Sequence, residues 1–193
     1  SECITNRVGG ELAALQVPPP VAWKANFTLR QFLRSWYMCF FQLPGLPEWW
    51  ARANDFARFE RMYQETSVRP EAFTAGDIAV YKAALRQPGA LTSAINYYRA
   101  NVFRSLIRRG DKEKREGNGQ IRVPTLFIYG EQDAAVIPDT VRGLERFIDA
   151  PYREVRIPDS AHWVQNEAIE EVNAALLEFL GDDQLAARAK PSE

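Results

Sequence analysis

Histidine occurs once in these 193 residues, at His162, and cysteine twice, at Cys3 and Cys39. A lone histidine with scattered carboxylates has no metal-ligand spacing, so no metal is expected. Two cysteines make no disulfide framework and fit a reducing compartment, the cytoplasm. An excess of charge of one sign is also missing. Twenty-four basic residues face 25 acidic ones, interspersed, for a net charge of −1. That balance excludes a polybasic face for nucleic acid or for an anionic membrane. No apolar run approaches the roughly 20 residues of a membrane span, and no signal-peptide pattern opens the chain. No nucleotide-binding glycine motif is present and no cofactor is expected. Internal repeats are absent. With 46% hydrophobic and 25% charged residues, most of the chain has ordinary globular composition.

The stretch from Ile121 to His162 organises what remains. Thr125-Leu126-Phe127-Ile128-Tyr129 is an apolar strand that stops at Gly130, and a carboxylate follows at Asp133. Pro138 leads a helix-like segment. Glu154–Ile157 reads as a second strand, and a Pro-Asp-Ser-Ala loop then delivers His162. Parallel α/β sheets place functional groups just past the carboxyl ends of their strands. An acid after one strand and a histidine after the next therefore form a candidate acid–base pair. The carboxylate holds the imidazole in one tautomer so that its far nitrogen can take a proton.

Ahead of this stretch the pattern is helical. Glu11–Leu15 reads as helix, and Leu15-Gln16-Val17 as the end of a strand. Pro18-Pro19-Pro20 forces an extended exit. Thr28-Leu29-Arg30-Gln31 is a capping box. It opens a helix whose stripe is Leu29, Phe32, Leu33, Trp36, Tyr37 and Phe40, ending near Pro44-Gly45. Glu48 to Tyr63 reads as a second helix, with Trp49, Phe56, Phe59 and Met62 as its apolar positions. Thr74 caps a third, carrying Ile78, Tyr81 and Leu85. Ala90 to Arg109 is the longest, with Leu91, Ile95, Tyr98, Val102 and Leu106 on one face, stopping at Gly110. After a charged linker, DKEKREGNG, the α/β part closes with a helix over about 166–180. Ile169, Val172, Leu176, Phe179 and Leu180 are its expected buried positions, with Gly181 at C′.

Three segments carry a resemblance. The order strand, Gly-x-x-Asp, strand, His resembles the C-terminal part of the α/β-hydrolase fold, where the triad runs nucleophile, acid, histidine. The runs Arg34–Glu48 (RSWYMCFFQLPGLPE) and Gln87–Arg99 (QPGALTSAINYYR) resemble the helical cap of epoxide hydrolases and their relatives. The resemblance extends over nearly everything from Val17 to Leu180. It implies a partial α/β-hydrolase fold: residues 1–25 a core remnant leading into the cap, 26–110 an all-helical cap, 111–119 a linker, 120–181 the C-terminal core and 182–193 a polar tail. It also implies a small hydrophobic epoxide and water as partners. Asp133 and His162 would be the acid and base, and Tyr98 the phenol that protonates the ring oxygen. Many family members have a second cap tyrosine just before an aromatic-Gln pair, and the position matched here is Phe40. Tyr37, one turn earlier, Phe40 and Trp163 are candidate pocket walls.

The front half of that fold is not legible. The sequence has no His-Gly-x-Pro loop and no Gly-x-Asp-x-Gly or Gly-x-Ser-x-Gly elbow. Asn6-Arg7-Val8-Gly9-Gly10 has paired glycines, but Arg7 stands where an acid belongs. The first residue is Ser rather than Met. The expectation is a C-terminal portion of a capped hydrolase, inert alone, with one sheet edge open. Two alternatives stay open: a haloalkane or haloacid dehalogenase-like enzyme, and a non-catalytic truncated product. The oligomeric state is not readable.

Overall fold

A computed structural model of the chain describes residues 10–107 and 120–181. The Asn6–Gly9 part of the glycine run, the side chains of Val102 and Leu106, Gly110, the 111–119 linker and the tail from 182 lie outside the described residues.

Three parallel strands form one sheet in the order β1 (Leu12–Leu15), β2 (Thr125–Gly130), β3 (Tyr152–Ile157). The register pairs Leu15 with Ile128 and Ile128 with Val155, so the three carboxyl ends align. The expected helix at Glu11–Leu15 is a strand instead, and it ends at Leu15, short of Gln16 and Val17. β2 is buried along its whole length, and its alternation feeds two cores. Leu126 and Ile128 point to one face, against Ile157, Val164, Ala168, Val172, Ala175 and Phe179. Phe127 and Tyr129 point to the other, against Ala22, Val136, Val141 and Leu144. A parallel strand covered on both faces reads as a continuous apolar run, as 125–129 does.

The triproline does not simply run extended. Pro20 takes the first position of a short helix, α1 (Pro20–Ala25), where its missing N–H costs nothing. Ala22 on α1 is fully buried against the Phe127–Tyr129 face.

The expected first helix is broken in two, α2 (Leu29–Arg34) and α3 (Trp36–Phe40), at Ser35. Its expected apolar stripe is not the buried face. Leu29, Phe32, Leu33 and Trp36 are exposed, while Gln31 and Ser35, one turn apart, are buried. The reason is polar: Gln31 meets the loop that follows β2. The second helix, α4 (Leu46–Glu65), is interrupted at Ala53–Phe56, and Asn54, Asp55 and Phe56 take positive φ near 55°. Trp49 on it is exposed, whereas Phe56 is buried with Ala51, Leu91 and Ile95. Thr74 makes a complete capping box with Asp77 at the start of α5 (Ala75–Arg86), and α6 (Ala90–Ile107) follows.

Pro138 starts a 3-10 turn, Pro138–Val141, rather than a helix, and a second, Leu144–Phe147, follows. Gly143 between them, at φ 68°, stops any helix from propagating. The closing segment is also split, into α7 (Val164–Glu167) and α8 (Ile169–Leu180). Ala168 and Ala175 are buried, while Ile169 and Leu180 are exposed, against expectation. Gly181 ends α8 at φ −90°, without the left-handed turn expected there. Among the described residues no helix is long and apolar enough to cross a membrane.

Candidate active site

The site lies where the carboxyl ends of β2 and β3 meet the helical block. Gly130 closes β2. A Cβ there would sit 2.7 Å from the Ser160 carbonyl oxygen, so only glycine lets the histidine loop cross so near. That crossing is stitched by Glu131 N–H to Ile157 O at 3.0 Å and Gln132 N–H to Ser160 O at 3.0 Å.

Three residues later the chain turns on Asp133, whose side chain is fully buried. Its Oδ1 accepts from the N–H groups of Ala135 (2.7 Å) and Val136 (2.9 Å). Its Oδ2 lies 2.9 Å from His162 Nδ1. A buried carboxylate must be satisfied to stay ionised, and this one has three partners. A carboxylate only accepts, so in a neutral ring this contact favours the tautomer with its proton on Nδ1.

The histidine loop is anchored by groups that sequence reading passed over. Glu167, buried on α7, accepts from Ala161 N–H at 2.6 Å and from the Ser160 hydroxyl at 3.2 Å. Gln16, at positive φ just past β1, accepts from Gly130 N–H at 2.9 Å and donates to Ala161 O. One amide thus ties three strand ends together. A buried polar residue directly after an apolar strand is the signal that was available.

Tyr98 and Tyr37 meet across the helical block, on α6 and α3, with ring centroids 5.7 Å apart and an interplanar angle of 83°. Phe41 packs on both. Burial, then the neighbouring Tyr98 and the Asp133 charge, push the Tyr37 hydroxyl up to about 12. Burial raises Tyr98 as well. Both phenols are therefore neutral donors at ordinary pH. Phe40's ring neighbours are Trp36, Phe41 and Trp50, while Tyr98 is flanked by Tyr37, Phe41 and Tyr97. Tyr37 and Phe41, four residues apart, present their rings to each other and to Tyr98.

Arg99, next to Tyr98, fixes that helix. Its guanidinium donates to both Glu48 oxygens (2.7 and 3.1 Å) and to the carbonyls of Phe41 (2.9 Å) and Leu43 (2.8 Å). The same bond holds the Glu48 carboxyl below its usual range. Trp163 stacks near His162 and on Tyr63 and Phe73, and its indole N–H donates to Thr66 Oγ1 at 2.8 Å. It joins the helical block to the histidine loop. Among the described residues no cluster of side chains could hold a metal ion.

A model of the alpha/beta hydrolase fold matches residues 23–168. The chain belongs to the α/β-hydrolase fold family. It is 33% identical over 172 residues to the AB hydrolase superfamily protein YfhM of Bacillus subtilis, covering 88% of this chain and 57% of that protein. It is 29% identical over 184 residues to epoxide hydrolase 3 of Xenopus tropicalis, covering 92% of this chain and 47% of the relative. Among solved structures, a Bacillus megaterium epoxide hydrolase in complex with an inhibitor superposes with a TM-score of 0.74 at 23% identity. That match covers 90% of this chain and 61% of the other, and supports the fold. The chain thus spans about half the length of the curated relatives it matches.

Proposed function

We propose that these residues are the acid, base and phenol part of an epoxide hydrolase. An aspartate nucleophile, which no elbow within the 193 residues supplies, would attack a ring carbon and form an ester. Tyr37 and Tyr98 donate to the ring oxygen as its C–O bond breaks, and one of them passes it a proton. His162 Nε2 then takes a proton from water, and the hydroxide attacks the ester carbonyl. Asp133 stabilises the imidazolium. The proton on His162 returns to the phenolate as the diol leaves, so one epoxide and one water give one diol.

The observation that carries this reading is the pairing of Asp133–His162 with two neutral phenols, one of which senses the Asp133 charge. Two neighbouring phenols suit an alkoxide that develops only as the ring opens. Halide release calls instead for N–H donors, and the indole beside His162 already donates to Thr66. The aromatic setting of the phenols suits a hydrophobic epoxide.

The test is a substrate panel of aryl and alkyl epoxides and haloalkanes. It is run on the 193-residue chain and on the full product of the native coding region. Diol formation by the full product, and none by the chain, is expected. Rapid epoxide turnover by the 193-residue chain, or haloalkane turnover in place of epoxide, would overturn the reading.

A further inference from the structure

Gln31 is an oddity on its helix. It lies on α2 among exposed apolar neighbours, yet it is itself 0% exposed. An amide can donate two hydrogen bonds and accept two, and burial is costly unless they are made. Gln31 makes all four. Nε2 donates to Ser35 Oγ at 3.0 Å and to the Ala135 carbonyl at 2.8 Å. Oε1 accepts from Ile137 N–H at 3.0 Å and from Thr140 Oγ1 at 2.9 Å.

Three of those partners belong to the loop that carries Asp133. The same short peptide stretch is held from its other side by Asp133 Oδ1, through the N–H groups of Ala135 and Val136. Tyr129 adds a third hold, its hydroxyl donating to Val136 O at 2.7 Å. Tyr129 belongs to the sheet, whereas Gln31 belongs to the helical block. A displacement of α2 therefore pulls on the Ala135–Val136 peptide group, whose carbonyl binds Gln31 and whose N–H binds Asp133.

We infer that Gln31 is a positioning residue, clasping the acid loop to the helical cap so that the Asp133–His162 geometry depends on where the cap sits. The inference rests on Asp133 and His162 acting as the working pair. It does not need the reaction to be epoxide opening.

The protein's single histidine makes the test direct. In the 15N-labelled 193-residue chain, long-range proton–nitrogen spectra report one imidazole, His162, and its tautomer. In the parent chain Asp133 keeps the proton on Nδ1. Gln31→Met keeps the length of the side chain and removes the four bonds. Thr140→Val removes one loop-side bond. Ser35→Ala removes the one bond that stays within the helical block.

Gln31→Met should shift the tautomer ratio toward Nε2–H by roughly threefold or more, the equivalent of one net hydrogen bond. Thr140→Val should shift it less, in the same direction. Ser35→Ala should leave it unchanged, and the Gln31→Met/Thr140→Val double variant should be no worse than Gln31→Met. Far-UV dichroism and a thermal scan accompany each variant. If Gln31→Met does not fold, the contrast between Thr140→Val and Ser35→Ala decides. An unshifted tautomer in folded Gln31→Met or Thr140→Val overturns the inference, and so does a shift in Ser35→Ala as large as that in Thr140→Val. A full-product assay that fails to open epoxides, with the tautomer series as expected, would sink the epoxide reading alone.

Discussion

Tyr37 and Tyr98 stand edge to face, ring centroids 5.7 Å apart, with Phe41 against both. The pair is made by two helices, α3 and α6, and Arg99 fastens those helices together through Phe41 O, Leu43 O and Glu48. A donor pair of this kind is useful only when held before substrate arrives.

Removing either hydroxyl should therefore cost turnover more than fold. Tyr37→Phe and Tyr98→Phe, placed in the full product, should each lower kcat on an epoxide by about 10²–10³-fold, the range for one lost oxyanion donor. Thermal midpoints should move little. Steady-state kinetics on the two variants check this, with Val80→Ala, on the exposed side of α5, as the comparison that should keep its rate.

Gly130 tolerates no side chain because a Cβ would press on the Ser160 and Ala161 carbonyls. Gly130→Ala should destabilise by about 1–3 kcal/mol, the usual cost of overpacking. That is a fall of several degrees in the thermal midpoint. The displaced loop should also lengthen the Asp133–His162 contact, visible as exchange broadening of the imidazole nitrogens.

The phenols set an alkaline limit. Tyr37 ionises at 10.0 in a free chain and at about 12 when folded. Between those values the folded state holds a proton that the unfolded state has released, so stability falls as the pH rises from 10 toward 12. Below pH 10 this contribution is intact. Burial raises Tyr63, Tyr98, Tyr129 and Tyr152 as well, so absorbance at 295 nm should show one late phenol fewer in Tyr37→Phe than in the parent chain.

The Glu48–Arg99 pair sets an acid limit. Glu48 is depressed from 4.5, first by the hydrogen bond from Arg99. Its contribution is present above pH 4.5 and is lost as the pH falls through the lower folded value. Arg99→Met strands the Glu48 carboxylate and frees the Phe41 and Leu43 carbonyls. It should cost about 1.5–3 kcal/mol at neutral pH, the range for lost hydrogen bonds to a charged group, less in acid, measured by urea unfolding at several pH values.

Much of the sheet end was readable in advance because strand chemistry is local. An apolar run, a glycine, an acid three residues on and the sole histidine after the next strand are all sequence features. Asp133 and His162 come together at 2.9 Å. What was not readable depends on partners far along the chain. Gln31 and Ser35 hide on a helix whose apolar residues face out, and an apolar-stripe rule puts the wrong side in. The contact of Tyr37 with Tyr98 joins two helices widely separated in the chain, and the break at Ser35 that orients α3 has no sequence signal of its own. The Pro138 segment became two 3-10 turns because Gly143 takes a left-handed φ and Thr140 is committed to Gln31.

The most direct test of the proposed chemistry is intact-mass spectrometry of the full product carrying His162→Gln, after exposure to an aryl epoxide. Without the base, ring opening should proceed and ester hydrolysis should stop. A covalent adduct heavier by the mass of one substrate is the expected result. Absence of any adduct, while the unaltered product converts the same epoxide to diol, would contradict the ester mechanism and the role assigned to His162.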